Sequence, residues 1–283
     1  MKVARVGDFT LGWGESLVWD DRTSRLYFVD CAARTLHWLN GGEGELHTLA
    51  LPSMATGIVP TENGMLIGAL EDGLHVIDPD AGTTRLLSAY PAGLGGRAND
   101  ACADLSGNLI TGTLNLVQAP GSSWWFSARR GWRLLDPDIS NTNGPTVAVL
   151  DDSMTLIIGD SSANYFSYPY DALNGTVGPR RVFGDMAGLE GVPDGATLDA
   201  ADGLWCALFG GGRLARFTTS GLDRTLDLPV ANPADVTFGG PDLDRLYVVT
   251  VPLGPDADAL DGALLVVDDL GVAGRFEPRF AAV

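Results

Sequence analysis

Basic residues are scarce in this chain. Its 283 residues include 18 Lys and Arg against 36 Asp and Glu, which gives a formal net charge of −18 at pH 7. A surface of this sign repels the phosphates of DNA and RNA, so the composition argues against nucleic acid as a partner. The same charge would help to attract a cation.

Cysteine and histidine are also rare. The cysteines, which lack the spacing of metal ligands and lie in or next to apolar segments, are Cys31, Cys102 and Cys206. We expect them to act as small core residues without a disulfide. The histidines, which fall outside every polar motif described below, are His37, His47 and His75. Their positions predict structural roles and argue against a histidine-rich zinc site or a Ser-His-Asp triad.

Long apolar runs are absent as well. No run of about 18 apolar residues indicates a transmembrane helix. The N-terminus has no apolar stretch of signal-peptide length, so we expect a cytoplasmic protein that does not enter a membrane. The hydrophobic content of 45% is ample for a core, but it is distributed in short runs separated by Asn-Gly, Asp-Gly and Asp-Pro turns.

What the sequence does contain is a segment that recurs six times, in which a small turn precedes a short apolar strand. The copies are RTSRLYFVD (22–30), ENGMLIGAL (62–70), LSGNLITGTL (105–114), DSMTLIIGDS (152–161), ADGLWCALF (201–209) and LDRLYVVTV (243–251). The spacings between their equivalent leucines are 40, 43, 47, 48 and 42 residues, for Leu26, Leu66, Leu109, Leu156, Leu204 and Leu246. Such a period is typical of propeller blades.

We therefore predict an all-β fold, a six-bladed β-propeller with four-stranded antiparallel blades. Residues 1–283 should form a single domain, because a propeller needs all its blades to close the edges of its sheets. One segment, 115–132, interrupts the regular pattern and is too irregular for a single strand. It carries Trp124, Trp125, Phe126 and Trp132. These aromatic side chains either form a lid or wall of a ligand pocket, or pack beneath the loop or between two blades.

Four polar clusters stand before the first apolar run of different blades. They are Gly14-Glu15-Ser16, Arg97-Ala98-Asn99-Asp100, Thr142-Asn143-Gly144-Pro145 and Pro193-Asp194-Gly195. Each falls at the start of the strand nearest the central channel, so residues far apart in sequence can share one pocket. Singly, an Asn-Gly or Asp-Gly pair is most often a simple turn. The joint placement at equivalent points of different blades is what predicts a site.

The side chains of this predicted site offer oxygen donors. Glu15, Asn99, Asn143 and Asp194 supply carboxylate and amide oxygens, which Ca²⁺ and Mg²⁺ prefer and which also suit Mn²⁺. The sequence therefore predicts a site for one hard divalent cation.

At these residues the chain resembles the regucalcin/gluconolactonase (senescence marker protein) family of six-bladed propeller lactonases. The matching stretches are GESLVWDDRTSRLYFVD (14–30), RANDACADLSGNLITGTL (97–114), TNGPTVAVLDDSMTLIIGDS (142–161), VPDGATLDAADGLWCALFGGGRLARF (192–217) and PADVTFGGPDLDRLYVVTV (233–251). The resemblance covers nearly the whole chain and implies a metal-dependent hydrolase that opens a small lactone to its hydroxy acid.

The resemblance also implies roles for single residues. Glu15, Asn143 and Asp194 match the family's divalent-metal ligands, and Asp194 matches its proposed general base. Arg97 and Asn99 match substrate-binding residues, with Asn99 close to the metal in some members. We expect Ca²⁺, with Mg²⁺, Mn²⁺, Zn²⁺ or Fe²⁺ as alternatives. The implied partner is a small-molecule substrate, and the oligomeric state stays open.

The chain departs from the family pattern in two places. An acidic residue that many sugar-lactone members carry after the 109–114 strand is missing, with Val117 near its place. The run from Asn143 to Ser161 is about two residues longer than usual, which predicts an enlarged turn at 151–153. With Trp124 and Trp125 as pocket walls, we expect a site that prefers less hydroxylated lactones.

Two other functions fit the same scaffold. An organophosphate-cleaving propeller also uses a divalent metal held by oxygen ligands. A non-catalytic propeller could bind Ca²⁺ or a carbohydrate without turnover, because a fold does not determine a function. The carboxylate of Asp194 beside the other ligands favours the enzyme, since an unpaired carboxylate in a pocket is electrostatically costly.

Overall fold

The regular structure of the chain consists of β-strands. The computed structural model describes residues 1–94, 96–115, 121–253 and 260–281, and in these ranges it contains no helix. Hence no helix of the described residues could span a membrane. The strands form six sheets. Neighbouring innermost strands pack side by side in sequence order, and the last packs against the first. The predicted six-bladed propeller is confirmed.

The strands form four layers from the channel outward. The innermost layer comprises β2 (Gly14–Asp20), β6 (Ala55–Pro60), β10 (Arg97–Ala103), β14 (Thr142–Leu150), β19 (Val192–Leu198) and β23 (Pro233–Gly239). The second comprises β3 (Arg25–Asp30), β7 (Leu66–Leu70), β11 (Leu109–Leu114), β15 (Ser153–Asp160), β20 (Leu204–Phe209) and β24 (Arg245–Thr250). The third comprises β4 (Thr35–Asn40), β8 (Gly73–Asp78), β12 (Ser123–Ser127), β16 (Tyr165–Asp171), β21 (Arg213–Thr218) and β25 (Leu264–Asp268).

The outer layer shows how the ring closes. Its strands are β5 (His47–Ala50), β9 (Thr83–Ala89), β13 (Gly131–Asp136), the short β17 (Thr176–Val177) with β18 (Arg181–Gly184), β22 (Gly221–Asp227) and β1 (Lys2–Val6). Although β1 begins the chain, it pairs antiparallel with β25, placing Val3 opposite Val267. The N-terminal strand therefore completes the last blade, so the first and last strands of the chain lie in one sheet.

The six repeated leucines occupy equivalent places in the second layer. Each is at most 1% exposed. Each pairs with the residue near the far end of the inner strand, in the pairs Trp19↔Leu26, Pro60↔Leu66, Ala103↔Leu109, Val147↔Leu156, Leu198↔Leu204 and Phe238↔Leu246. The leucine that recurs in the sequence is thus the buried residue that recurs in the core of each blade.

Aspartates shape turns between the first and second strands. Asp104 and Asp199 each accept, through Oδ1, hydrogen bonds from the backbone N–H groups two and four residues further on, at 2.8 to 2.9 Å. Such side-chain-to-backbone bonds are typical of turns that begin with aspartate. They explain why a polar turn precedes the apolar segment in these repeats.

The hairpin at 151–153 differs from the expectation. Leu150 pairs directly with Ser153, so the turn contains only Asp151 and Asp152, both at positive φ (48° and 61°). Two successive residues at positive φ form the tight turn that matches strand twist. The extra length lies in the strands, since β14 has nine residues where other inner strands have six or seven. The prediction of an enlarged turn was wrong.

A C-terminal segment crosses the end of the ring where the inner strands finish. Gly274 N donates to Leu243 O in the sixth blade at 2.7 Å, and Phe280 N donates to Pro60 O in the second at 2.9 Å. Between them, Arg279 donates to Asp20 of the first blade at 2.6 Å. This segment ties several blades together, and it places Glu277 in the wall of the central channel.

Replacing Phe280 by Ala should destabilise the protein by about 3–5 kcal/mol, because a fully buried ring is removed and a cavity remains. Phe276 in the same segment is 64% exposed, so Phe276→Ala is the matched control and should change stability by less than about 0.5 kcal/mol. Urea unfolding followed by tryptophan fluorescence measures both. Equal effects of the two substitutions would show that the segment does not anchor the ring.

Candidate functional site

The predicted site residues other than the two tryptophans lie at the starting end of the inner strands. Counting back four residues from the partner of each repeated leucine gives one equivalent position per blade. These six residues, called the first row here, are Glu15, Thr56, Asn99, Asn143, Asp194 and Ala234. The structure therefore brings Glu15, Asn99, Asn143 and Asp194 to the same level of the channel, as the sequence predicted.

Each inner strand is irregular next to this row. The pairing with the second strand shifts register between Glu15 and Val18, Ala55 and Gly57, Asn99 and Ala101, Asn143 and Thr146, Pro193 and Ala196, and Pro233 and Asp235. A bulge bends a strand and re-aims its side chains. The residues that follow the first row, called the second row, are Ser16, Gly57, Asp100, Gly144, Gly195 and Asp235.

The second row joins neighbouring blades. At three interfaces a side chain of this row accepts a hydrogen bond from a backbone N–H of the next blade. The pairs are Ser16 Oγ with Ile58 N (2.6 Å), Asp100 Oδ2 with Gly144 N (2.7 Å) and Asp235 Oδ2 with Leu17 N (2.6 Å).

The other three interfaces depend on a glycine. A Cβ at Gly144 would lie 2.6 Å from the Cβ of Ala196, and one at Gly195 would lie 1.9 Å from Asp235 Oδ1. Gly57 meets Ala101 in the same way. The absent side chain therefore lets the blades approach closely where no second-row side chain forms a hydrogen bond across the gap.

Four side chains and one carbonyl form a continuous hydrogen-bonded chain across three blades. Arg97 Nη1 donates to Asn99 Oδ1 at 3.0 Å, and Asn99 Nδ2 donates to Asn143 Oδ1 at 2.7 Å. Asn143 Nδ2 donates to Ser161 Oγ at 2.6 Å, and Ser161 Oγ donates to the carbonyl oxygen of Pro193 at 2.9 Å. The chain ends beside Asp194, so it links the predicted substrate-binding residues to the predicted ligands.

Glu15 is held by a tryptophan that precedes it by two residues. The indole N–H of Trp13 donates to Glu15 Oε1 at 2.8 Å. Burial, together with the neighbouring charge of Asp100, raises the pKa of the Glu15 carboxyl to about 7, against the opposing effects of this hydrogen bond and of Arg97. Without a cation, Glu15 is therefore only partly ionised at neutral pH.

Asp194 stands in a still less favourable place for a negative charge. It is 8% exposed, and burial is the main cause that raises its pKa well above the ordinary value. The charges of Glu15, Asp235 and Asp100 add to the increase. Burial likewise raises the pKa of Asp235 well above its usual range and that of Asp100 to about 7. The end of the channel thus gathers buried carboxyl groups that repel one another.

A family model covers most of the chain. The model described as SMP-30/Gluconolactonase/LRE-like region matches residues 13–252. The chain belongs to this family. The match includes every first-row and second-row residue, and the family resemblance predicted from the sequence is confirmed.

Relatives and solved structures extend over nearly the whole chain. The chain is 28% identical over 281 residues to the pentonolactonase XacC of Haloferax volcanii, covering 98% of this chain and 94% of that protein. It is 31% identical over 288 residues to a 6-deoxy-6-sulfogluconolactonase of Pseudomonas putida, covering 95% and 94%. The crystal structure of a calcium-binding protein, regucalcin, from Agrobacterium tumefaciens superposes with a TM-score of 0.87 at 28% identity, covering 98% of this chain and 96% of that one.

The donor set of this SMP-30/gluconolactonase member fits a hard cation. In the part of the chain that the structure describes, no group of three or more His, Cys, Asp or Glu side chains gathers as a metal site. A site here would therefore combine the carboxylates of Glu15 and Asp194 with the amide oxygen of Asn143. A cation among them would offset the repulsion that raises the two carboxyl pKa values.

For Trp125 the structure decides between the two roles left open for the tryptophans, a pocket wall and packing between blades. Where the structure describes segment 115–132, it contains strand β12 and the start of β13, which pair with each other inside the third blade. Trp125 is 2% exposed and packs between two blades with Ile110 and Tyr168, so its assignment as a substrate-binding residue is corrected. Trp124 is partly buried and donates to Ser122 Oγ at 2.7 Å. Its role toward substrate stays a prediction, and Val117 lies outside the described residues.

The rare residue types lie away from the first row or in the core. His37 is bonded to Thr35 and Thr48, and His47 stacks on Trp38. The Nε2 atom of His75 lies 2.7 Å from Asp72. These contacts agree with the structural roles predicted for the histidines. Burial raises the pKa of all three cysteine thiols, which are unpaired, as expected of small core residues.

Several site residues received no role from the sequence. Asp100 and Asp235 lie within the motifs RAND and PAD. Their hydrogen bonds to the neighbouring blades join residues far apart in the sequence, so the sequence alone could not predict them. Trp13 could have been predicted, because its indole N–H is a hydrogen-bond donor and it precedes Glu15 by only two residues. Ser161 ends the fourth repeated segment, DSMTLIIGDS, and only the fold places it against Asn143.

The metal-free protein should lose stability as pH rises from about 5 to 8. Glu15 and Asp100 have folded-state pKa values of about 7, above the ordinary values of 4.5 and 3.8, so the folded state binds more protons in this window. Stability from these groups is greatest at low pH and is lost as they ionise. Melting temperatures in the presence of a chelator measure the trend.

Two comparisons make this test specific. Glu15→Gln removes one titrating carboxyl and should flatten the dependence on pH. Added Ca²⁺ should raise the melting temperature more at pH 8 than at pH 5.5, because protons then compete less for the carboxylates. A melting temperature that rises with pH in the chelated protein would contradict the assigned pKa shifts.

Proposed function

We propose that this protein is a divalent-metal-dependent lactonase that hydrolyses a small lactone, of sugar type or less hydroxylated, to its hydroxy acid. One observation carries the proposal: Glu15, Asn143 and Asp194 share the first row, with Arg97 and Asn99 hydrogen-bonded beside them. The names of the relatives support the reaction, since the Haloferax and Pseudomonas proteins are lactonases for a pentonic and a sulfogluconic ring.

Glu15, Asn143 and Asp194 would hold the cation. Ca²⁺ is the ion that the oxygen donors favour, and the Agrobacterium structure bears the name of a calcium-binding protein. When bound, such an ion polarises a carbonyl and stabilises the negative charge that develops on its oxygen. Asn99 lies next to this group, and its Oδ1 accepts one hydrogen bond from Arg97, which leaves a second lone pair that could join the ligands.

Asp194 would serve as the general base. A base must be ionised, and the buried Asp194 carboxyl has a raised pKa in the protein alone. A cation held by the first-row ligands would favour the ionised carboxylate of Asp194, which could then take a proton from the attacking water. The backbone of Asp194 is fixed, since the hydroxyl of Tyr165 donates to its carbonyl oxygen. A fixed base within hydrogen-bond reach of the water is what this step requires.

Arg97 and Asn99 would position the substrate. Arg97 is partly buried, and its Nη1 donates to Ala98 O and to Asn99 Oδ1. Among the described residues, its other guanidinium N–H groups have no partner, and they form a planar fork that suits a ring carbonyl or hydroxyls. Two donors on one rigid group orient the carbonyl carbon toward the water and Asp194.

A lactone panel with a pH indicator tests the function. The wild-type protein should acidify solutions of five- and six-membered lactones, a chelator should abolish turnover, and Ca²⁺ or another divalent ion should restore it. Glu15→Ala is the control for hydrolysis that does not depend on the site. Turnover unaffected by the chelator would remove the metal from the proposal, and cleavage of an organophosphate alone would favour the alternative hydrolase. The kcat/KM values for glucono-lactone and for less hydroxylated rings decide the substrate class.

Asp194→Asn separates the base from the ligand. The substitution keeps an oxygen ligand but removes the proton acceptor, so kcat should fall about 10²-fold or more. Its metal affinity, measured by calorimetry, should fall less than that of Asp194→Ala. If Asp194→Asn turns over its best lactone at nearly the wild-type kcat, another group accepts the proton.

A further inference from the structure

The hydrogen-bonded chain beside the site has ends that fix its direction. Arg97 can only donate, so the atom of Asn99 that faces it is the carbonyl oxygen Oδ1. Asn99 Nδ2 also lies 2.9 Å from the carbonyl oxygen of Thr142, which can only accept. Both neighbours therefore require that Asn99 present its amide N–H₂ to Asn143, at 2.7 Å.

The opposite end gives the same direction independently. The carbonyl oxygen of Pro193 can only accept, so the hydroxyl proton of Ser161 is directed to it, at 2.9 Å. The lone pairs of Ser161 Oγ must then face donors, and they accept from Asn143 Nδ2 at 2.6 Å and from Asn141 Nδ2 at 3.0 Å. Asn143 consequently directs Oδ1 away from Ser161, toward its first-row neighbour Asn99.

The amide of Asn143 has little freedom to turn over. The residue is 3% exposed, so water cannot readily replace a lost partner. A reversed amide would set Oδ1 against Pro193 O and Nδ2 against the N–H₂ of Asn99, leaving buried groups without a complementary partner. Asn143 Oδ1 receives one hydrogen bond from Asn99, and an amide oxygen has a second lone pair, which is available to a cation.

We propose that Ser161 is a positioning residue that holds the Asn143 amide with its oxygen directed to the cation site. The proposal rests on the proposed metal-dependent function. Ser161 is itself well anchored, because its backbone N–H donates to Asn141 O at 3.3 Å at the end of strand β15. Partners that orient a ligand in this way commonly change metal affinity by 10- to 100-fold when they are removed.

Ser161→Ala tests the proposal, with calorimetric titration of the full-length protein by Ca²⁺ and by Mn²⁺. Its dissociation constants should rise about tenfold or more. Ser161→Thr keeps the hydroxyl and should restore most of the affinity. Ser162→Ala is the matched control, since this neighbouring hydroxyl is exposed and bonds to Ser140 and Asp160 instead, and its affinity should stay within about twofold of wild type.

Melting temperatures in chelator separate positioning from folding. Ser161→Ala and Ser162→Ala should melt close to wild type, so that weaker binding cannot arise from unfolding. Wild-type affinity in Ser161→Ala, together with weakened binding in Asn143→Ala, would overturn the role of Ser161 and leave the metal site intact. A wild-type protein that binds neither ion would overturn the metal-dependent function, and the positioning role with it.

Discussion

The site depends on the bulge at the start of every inner strand. Regular pairing would alternate side chains between the two faces of a blade, and neighbouring blades would meet only through those faces. The register shift re-aims the first row and carries the second row into the blade interface. One local irregularity, repeated around the ring, therefore both assembles the polar residues and bonds the blades together, as in the contact of Asp235 with Leu17 N.

This construction concentrates negative charge where solvation is poor. Glu15 and Asp194 belong to the first row, and Asp100 and Asp235 lie one residue beyond it, so each carboxyl lies within the field of the others. Arg97 is the cation whose charge opposes this at Glu15. Burying charges without a partner is costly. A fold that tolerates the arrangement has its stability distributed elsewhere, in the leucine-centred blades and the C-terminal segment, and a cation at the channel end would offset the remaining repulsion.

The sequence predicted those parts of the molecule that repeat. Leu156 identified its blade because a buried leucine recurs every 40 to 48 residues in a similar turn–strand segment. Asn143 was recognisable because it stands shortly before such a segment, 13 residues ahead of Leu156. Trp125 was misjudged because its blade continues after an irregular stretch. The partnership of Ser161 with Pro193 could not be predicted, since it joins two blades through contacts that have no local pattern.

The two rows also show how function and fold separate on one scaffold. The six first-row positions have equivalent backbone settings, yet four carry the candidate site and the other two carry Thr56 and Ala234. Changing a first-row side chain alters the chemistry at the channel end, while the bonds that second-row side chains form between blades persist. Changing Asp235 or Gly144 instead disturbs the contact between blades. In this chain the first row therefore carries the candidate chemistry, whereas the second row is constrained by the closure of the propeller itself.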